Sequence, residues 1–197
     1  MVGDVEGLPP GTHRVYEIQS ECRSEMSEFE RNVALRHANI SDLGQLVEIF
    51  NFYIANSHAT FGTELHSEDT RRPWFDSYGH GRYRLLVAAS GNDILGYATS
   101  SRYRPGSAFD FTVETSIYLH PDKRQAGIGT KLYTALFEAL KNEPVHLAVA
   151  GIACPNPASV ALHKKFGFQE VGTFKEYARK NGAWISSTWF QKLLAAA

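Results

Sequence analysis

One junction constrains this chain more than any other. Residues 111–119 (FTVETSIYL) are rich in β-branched and aromatic side chains and read as a strand. Beyond them Ile128, Leu132, Leu136 and Leu140 recur at the i, i+4 spacing of a buried helix stripe. Between the two lies Arg124-Gln125-Ala126-Gly127-Ile128-Gly129. A strand that hands over to a helix through a glycine loop requires a sheet with that helix packed on it. Gly127 and Gly129 let the backbone turn with positive φ and approach a ligand closely. The first-turn amides of the helix lack intrahelical acceptors and carry the positive end of the dipole, so the junction can cradle an anion, worth ~0.3–2 kcal/mol before hydrogen bonds are counted. Spacing alone leaves a ligand-free turn equally open. The loop is neither the dinucleotide G-x-G-x-x-G nor a nucleotide-binding loop ending in Gly-Lys-Ser/Thr.

The flanking chain supplies the rest of a mixed α+β domain. Residues 33–37 read as a short strand. A helix follows over 39–56, capped by Asn39 or Ser41, with Leu43, Leu46, Val47, Phe50, Tyr53 and Ile54 on one face. A short second helix is expected near 67–78. Residues 84–89 and 94–103 flank the turn SGND as a hairpin. The helix after the glycine loop covers TKLYTALFEALKN, and VHLAVAGI is an apolar strand. A short helix is capped by Asn156, opened by Pro157 and stopped by Gly167. Two strand-like stretches then surround the turn KNG.

Composition narrows the function classes. The chain has 197 residues, enough for one well-filled domain, and no apolar run near the roughly 20 residues of a membrane span. A net charge of -1 argues against a nucleic-acid partner, which needs a basic surface to displace counterions. Two cysteines, Cys22 and Cys154, make neither a metal knuckle nor a disulfide scaffold, and a reduced cytoplasmic setting fits. The other histidines, including His58, His66, His80 and His120, show no metal-ligand spacing, so no metal is expected. Residues 1–32 hold seven acidic and three basic side chains and read as a flexible acidic arm, leaving 17 basic and 14 acidic residues in a domain spanning 33–197. Met26, just before the regular pattern begins, offers an alternative start.

The motifs in combination carry more than any one alone. R-x-x-G-x-G after a strand resembles the acetyl-CoA pyrophosphate loop of the GNAT acyltransferase superfamily. About 27 residues on, Asn156-x-x-Ser159-x-x-x-His163-x-x-x-Gly167-Phe168 resembles that superfamily's second signature. The stretches FTVETSIYLHPDKRQAGIGTKLYTALFEAL, IACPNPASVALHKKFGF and RKNGAWISSTWFQKLL are similar to the phosphinothricin and methionine sulfone/sulfoximine N-acetyltransferase branch. The resemblance covers roughly residues 33–194. It implies a single domain with a mostly antiparallel central sheet, a splayed parallel pair and flanking helices. It also implies a cytoplasmic enzyme, often a homodimer, that acetylates a small amino acid or analogue from acetyl-CoA, without nucleic-acid or membrane partners.

The same resemblance distributes roles. It sets acetyl-CoA against the backbone of Ile117, Tyr118 and Leu119 and against Arg124, Gln125, Ala126, Gly127, Ile128, Gly129 and Thr130, with Asn156 and Lys165 at its edge. Lys164 and Lys165 are in reach of a terminal phosphate, or simply form a solvated helix face. The branch carries its base at Glu114. A carboxylate in mid-strand is unexpected and must be paired, wet or functional. Acetyl transfer needs a neutral amine; at an amino pKa near 8 only about 10% is neutral at pH 7, which costs roughly 1.4 kcal/mol, and a carboxylate acting directly or through water can take that proton. His163 stands where many superfamily members hold a Tyr that protonates the departing thiolate, and is the second catalytic candidate, as acid or base. Its other reading is a helix His packed beside the cofactor.

Acceptor selection falls to Phe61, Arg104, Ser107, Ala108, Phe109 and Glu114. Arg104 offers a bidentate fork for an α-carboxylate. The loop lacks the Trp or acidic residue of some relatives, which leaves the acceptor open. Phe109, Phe111 and Tyr103 are alternatively a dimer contact. Two other functions are consistent with the same loop: acetylation of a peptide N-terminus, and a non-catalytic acyl-CoA-binding module.

Overall fold

The computed structural model describes residues 33–123 and 127–194. The acidic arm and the loop residues Arg124, Gln125 and Ala126 lie outside the described residues. Seven strands, β1 (Ala34–His37), β2 (Arg84–Ser90), β3 (Asp93–Arg102), β4 (Thr112–Leu119), β5 (Leu147–Cys154), β6 (Gln169–Lys180) and β7 (Ala183–Leu193), form one sheet. Their order is β1-β2-β3-β4-β5-β7-β6. Every neighbouring pair is antiparallel except β4 and β5, which run parallel.

That parallel pairing is short. It joins Thr112 to Leu147, Val113 to Ala148 and Glu114 to Val149, and stops. Both strands continue past the stop, β4 to Leu119 and β5 to Cys154, each still paired on its outer side. The sheet therefore forks beyond Glu114, and β4 turns an unpaired backbone edge into the gap.

Four helices cover the sheet: α1 (Leu43–Asn56), α2 (Glu68–Asp76), α3 (Ile128–Leu140) and α4 (Pro157–Lys165). The first is entered through a 3-10 turn, Ile40–Asp42, and it is Asn39 that caps this turn, accepting from the Ser41 amide at 3.1 Å. Leu46 and Ile49 of α1 pack on Leu85, Val87, Ala89, Ile94 and Tyr97, with Trp74 and Phe75 of α2 closing the layer. Tyr118 of β4 meets Phe50 and Tyr53 of α1 on this same face. The opposite face receives α3, where Gly129 sits against Ile117 and Leu119. Alternation along β4 thus gives Glu114, Ser116 and Tyr118 to the α1 side and Val113, Thr115, Ile117 and Leu119 to the α3 side.

α3 starts at Ile128, two residues earlier than its helix-forming residues alone suggest, because Gly127 takes the left-handed conformation (φ +91°) and turns the chain into the helix. Gly129 does not have positive φ. It is helical, and what favours glycine there is proximity, since a Cβ would lie 3.3 Å from a Leu162 methyl of α4, which would have to shift. Among the described residues no helix is long and apolar enough to cross a membrane, and no three His, Cys, Asp or Glu side chains gather as a metal ion requires.

Candidate active site

The fork opens into a cleft of about 440 Å³. One wall is β4 from Thr115 to Leu119, the other β5 from Ala150 to Ala153 with the start of α4. The end of α1 and the segment after it, Tyr53, Ser57, His58 and Ala59, close a third side. His58 reaches across to the far wall, its Nε2 donating to the Pro155 carbonyl at 2.8 Å.

The described residues expected to hold acetyl-CoA divide into those that line the cleft and those at the start of α3 that do not. Ile117, Tyr118, Leu119 and Asn156 line the cleft. Asn156 caps α4, accepting from the Ser159 amide at 3.1 Å. Gly127, Ile128, Gly129 and Thr130 form the N-terminal turn of α3, whose amides have no intrahelical acceptors. Lys165 extends over that turn and donates to Thr130 Oγ1 at 3.2 Å, which puts a cation beside the helix N-terminus. One expected backbone contact is already engaged: the Leu119 carbonyl accepts from the Tyr53 hydroxyl at 2.8 Å.

Glu114 stands at the apex of the fork, on the α1 face, half-buried. Among the described residues its carboxylate has no hydrogen-bond or ion-pair partner. Burial raises its pKa above the ordinary carboxylate value, and the Arg104 guanidinium pulls it partly back. A carboxylate of this kind is a stronger base than a solvated one, held where both strands separate.

Arg104 is exposed and lies over the rings of Tyr103 and Phe109, at 4.9 and 5.9 Å from their centres. Arg102 supports the same loop, donating from Nε to the Arg104 carbonyl at 3.3 Å and lying 3.9 Å from Asp110. Ser107 and Ala108 open a 3-10 turn, Ser107–Phe109, that presents this loop. Tyr103 contacts Phe109 and Trp189 within the chain, while Phe111 is exposed. Phe61 packs on Tyr177 of β6.

His163 is buried among Tyr133, Phe168 and Phe190. Its Nδ1 lies 2.8 Å from the Ser159 carbonyl, which only accepts, so Nδ1 carries the proton. Nε2 then accepts from the Tyr133 hydroxyl at 2.9 Å. Burial lowers its pKa, with the Ser159 carbonyl opposing in part. The ring lines the cleft, but both nitrogens are already engaged.

Three contributors escaped the sequence reading. Tyr133 carried a weak signal, since a tyrosine beside a buried stripe needs a partner for its hydroxyl. Tyr53 was legible only as a core position of α1. Lys180, in the turn RKNG, resembled any turn lysine, and nothing local marks it as buried.

Comparison with known proteins agrees with this geometry. Residues 35–189 match the acetyltransferase (GNAT) domain family. A phosphinothricin N-acetyltransferase of Streptomyces coelicolor is 44% identical over 165 residues, spanning 82% of this chain and 96% of that protein. An L-methionine sulfoximine/L-methionine sulfone acetyltransferase of Pseudomonas aeruginosa is 33% identical over 161 residues, 81% of this chain and 94% of that one. A phosphinothricin acetyltransferase from Sinorhizobium meliloti, solved in complex with acetyl-CoA, superposes with a TM-score of 0.78 at 32% identity, covering 83% of this chain and 89% of that chain. The match spans most of the chain, and on it the chain is an acyltransferase that belongs to the GNAT acetyltransferase family.

Proposed function

We propose that this acetyltransferase moves an acetyl group from acetyl-CoA to the α-amino group of a small amino acid of the phosphinothricin, methionine sulfone or methionine sulfoximine type. The observation that carries this reading is Glu114, an unpaired carboxylate at the apex of the fork with its pKa raised by burial. Names of the relatives supply the acceptor class.

The residues present fit acetyl-CoA. The free edge of β4 offers backbone groups to an amide-bearing chain, the first turn of α3 offers unpaired N–H groups to phosphate, and Lys165 adds a cation. When bound, acetyl-CoA supplies the acyl carbon, to which the amine nitrogen bonds as the carbon–sulfur bond breaks and the thiolate departs. Glu114, directly or through water, takes the proton that the ammonium must lose before attack. Arg104, across from it, holds the acceptor's α-carboxylate by the two-pronged geometry of a guanidinium. His163 acts by position: neutral and bonded at both nitrogens, it fixes α4 to Tyr133 and shapes the wall near the thioester.

The test is free-thiol release from acetyl-CoA with a panel of amino acids and short peptides. Wild type is expected to turn over one or more of the three named acceptors, and Glu114→Gln to lose about 10²–10⁴-fold in kcat while still binding acetyl-CoA. Unchanged turnover in that variant removes Glu114 from the base role. Turnover of peptides alone replaces the amino-acid acceptor by a peptide N-terminus, and thermal stabilisation by CoA without any turnover leaves a binding module.

A further inference from the structure

Lys180, the last residue of β6, is only 4% exposed and has no carboxylate partner among the described residues. Its ammonium instead donates to three backbone carbonyls: Ser57 at 2.7 Å, Thr60 at 3.0 Å and Tyr53 at 3.2 Å. These three acceptors belong to the end of α1 and the segment after it. A buried ammonium is costly unless all its donors are used, and here they are. The C-terminal end of a helix carries orphan carbonyls and the negative end of the dipole, which suits a cation.

The segment held in this way, residues 57–61, is a strap over the cleft. Ser57, His58 and Ala59 line the cleft itself. Its far end is tied to the same strand, because Phe61 packs edge-on against Tyr177 at 5.4 Å. Its root is tied to β4, because the Tyr53 hydroxyl donates to the Leu119 carbonyl. The strap continues from α1, and α1 covers the face of the sheet that carries Glu114 and Tyr118. The glycine turn of α3 lies on the opposite face. The strap borders Ile117, Tyr118 and Leu119 in the cleft, but it ends at Phe61, one of the residues expected to meet the acceptor. It lies on the face of β4 that carries Glu114, so what Lys180 positions is turned toward the acceptor.

We propose that Lys180 is a positioning residue for the acceptor amino acid, acting through the strap 57–61 that it suspends over the forked sheet. The inference rests on the reading of this cleft as the site of acetyl transfer to an amino acid. Lys180→Met keeps length and bulk but removes all three donors. It is expected to raise the KM for the acceptor about tenfold or more, with kcat and the KM for acetyl-CoA each within about twofold of wild type. Lys180→Arg, which keeps cation and donors, recovers part of the loss. Tyr177→Ala, at an exposed site outside the cleft, loosens the second tie and raises the acceptor KM by a smaller factor.

An acceptor KM that stays put overturns the proposal, as does a loss confined to kcat that follows the folded fraction. A rise in the KM for acetyl-CoA in place of the acceptor also overturns it. If Lys180→Met does not fold, Tyr177→Ala decides alone. Wild-type protein that acetylates no amino acid overturns the reading of the site and this inference with it. An active wild type whose variants leave the acceptor KM unmoved overturns the inference only.

Discussion

Glu114 is held at a cost to the fold. Its folded pKa is raised, so the carboxylate binds its proton more tightly in the native state than in the unfolded chain. The native state is therefore favoured by this residue at pH below the unfolded carboxylate value, and that advantage is lost as pH rises through the folded pKa. At pH 7 the ionised, half-buried group lowers stability. Glu114→Gln is accordingly expected to unfold at higher temperature than wild type at pH 7, with the difference shrinking toward pH 4, as differential scanning calorimetry at the two pH values would show. With Glu114 as the proposed base, the same shift is expected to move the acid limb of the pH–rate profile upward from the ordinary carboxylate value. His163 contrasts with it: its two nitrogens are engaged by Ser159 and Tyr133, and burial lowers its pKa.

The elements were largely legible because their signals are local. Period, caps and turn residues located the hairpin of β2 and β3, the stripe of α3, and α4 between Asn156 and Gly167. The start of α3 was displaced by two residues because its signal is a backbone conformation, the positive φ of Gly127, and not a side chain. That conformation predicts its own test. Among the described residues nothing lies within 4 Å of a Cβ built on Gly127, so Gly127→Ala is expected to lose conformational energy, about 1–2 kcal/mol, without a clash against them. Thermal unfolding should report that loss, accompanied by a raised KM for acetyl-CoA, because the tilt of the first-turn amides follows from this residue. Lys180 was illegible for the complementary reason. Its partners are carbonyls at residues 53, 57 and 60, more than a hundred positions away, and carbonyls leave no trace in residue type.

At the scale of the molecule, the charge count that argued against a nucleic-acid partner said little about a local site in which the main-chain amides of a helix start and one lysine stand together. Glu114 and the glycine loop were visible as unusual residues in ordinary surroundings, whereas the cleft depends on where a strand pairing ends, which no single residue announces. That ending has a consequence for dynamics. β4 is fourth of seven strands, the place where amide protons are normally best shielded, yet those amides of residues 115–119 that point away from β3 border open space. Hydrogen–deuterium exchange should find them exchanging like the rim of a sheet in the free protein and slowing when acetyl-CoA is added, with β2 unchanged. The middle of this sheet has a margin, and the proposed reading gives acetyl-CoA the place of the missing strand.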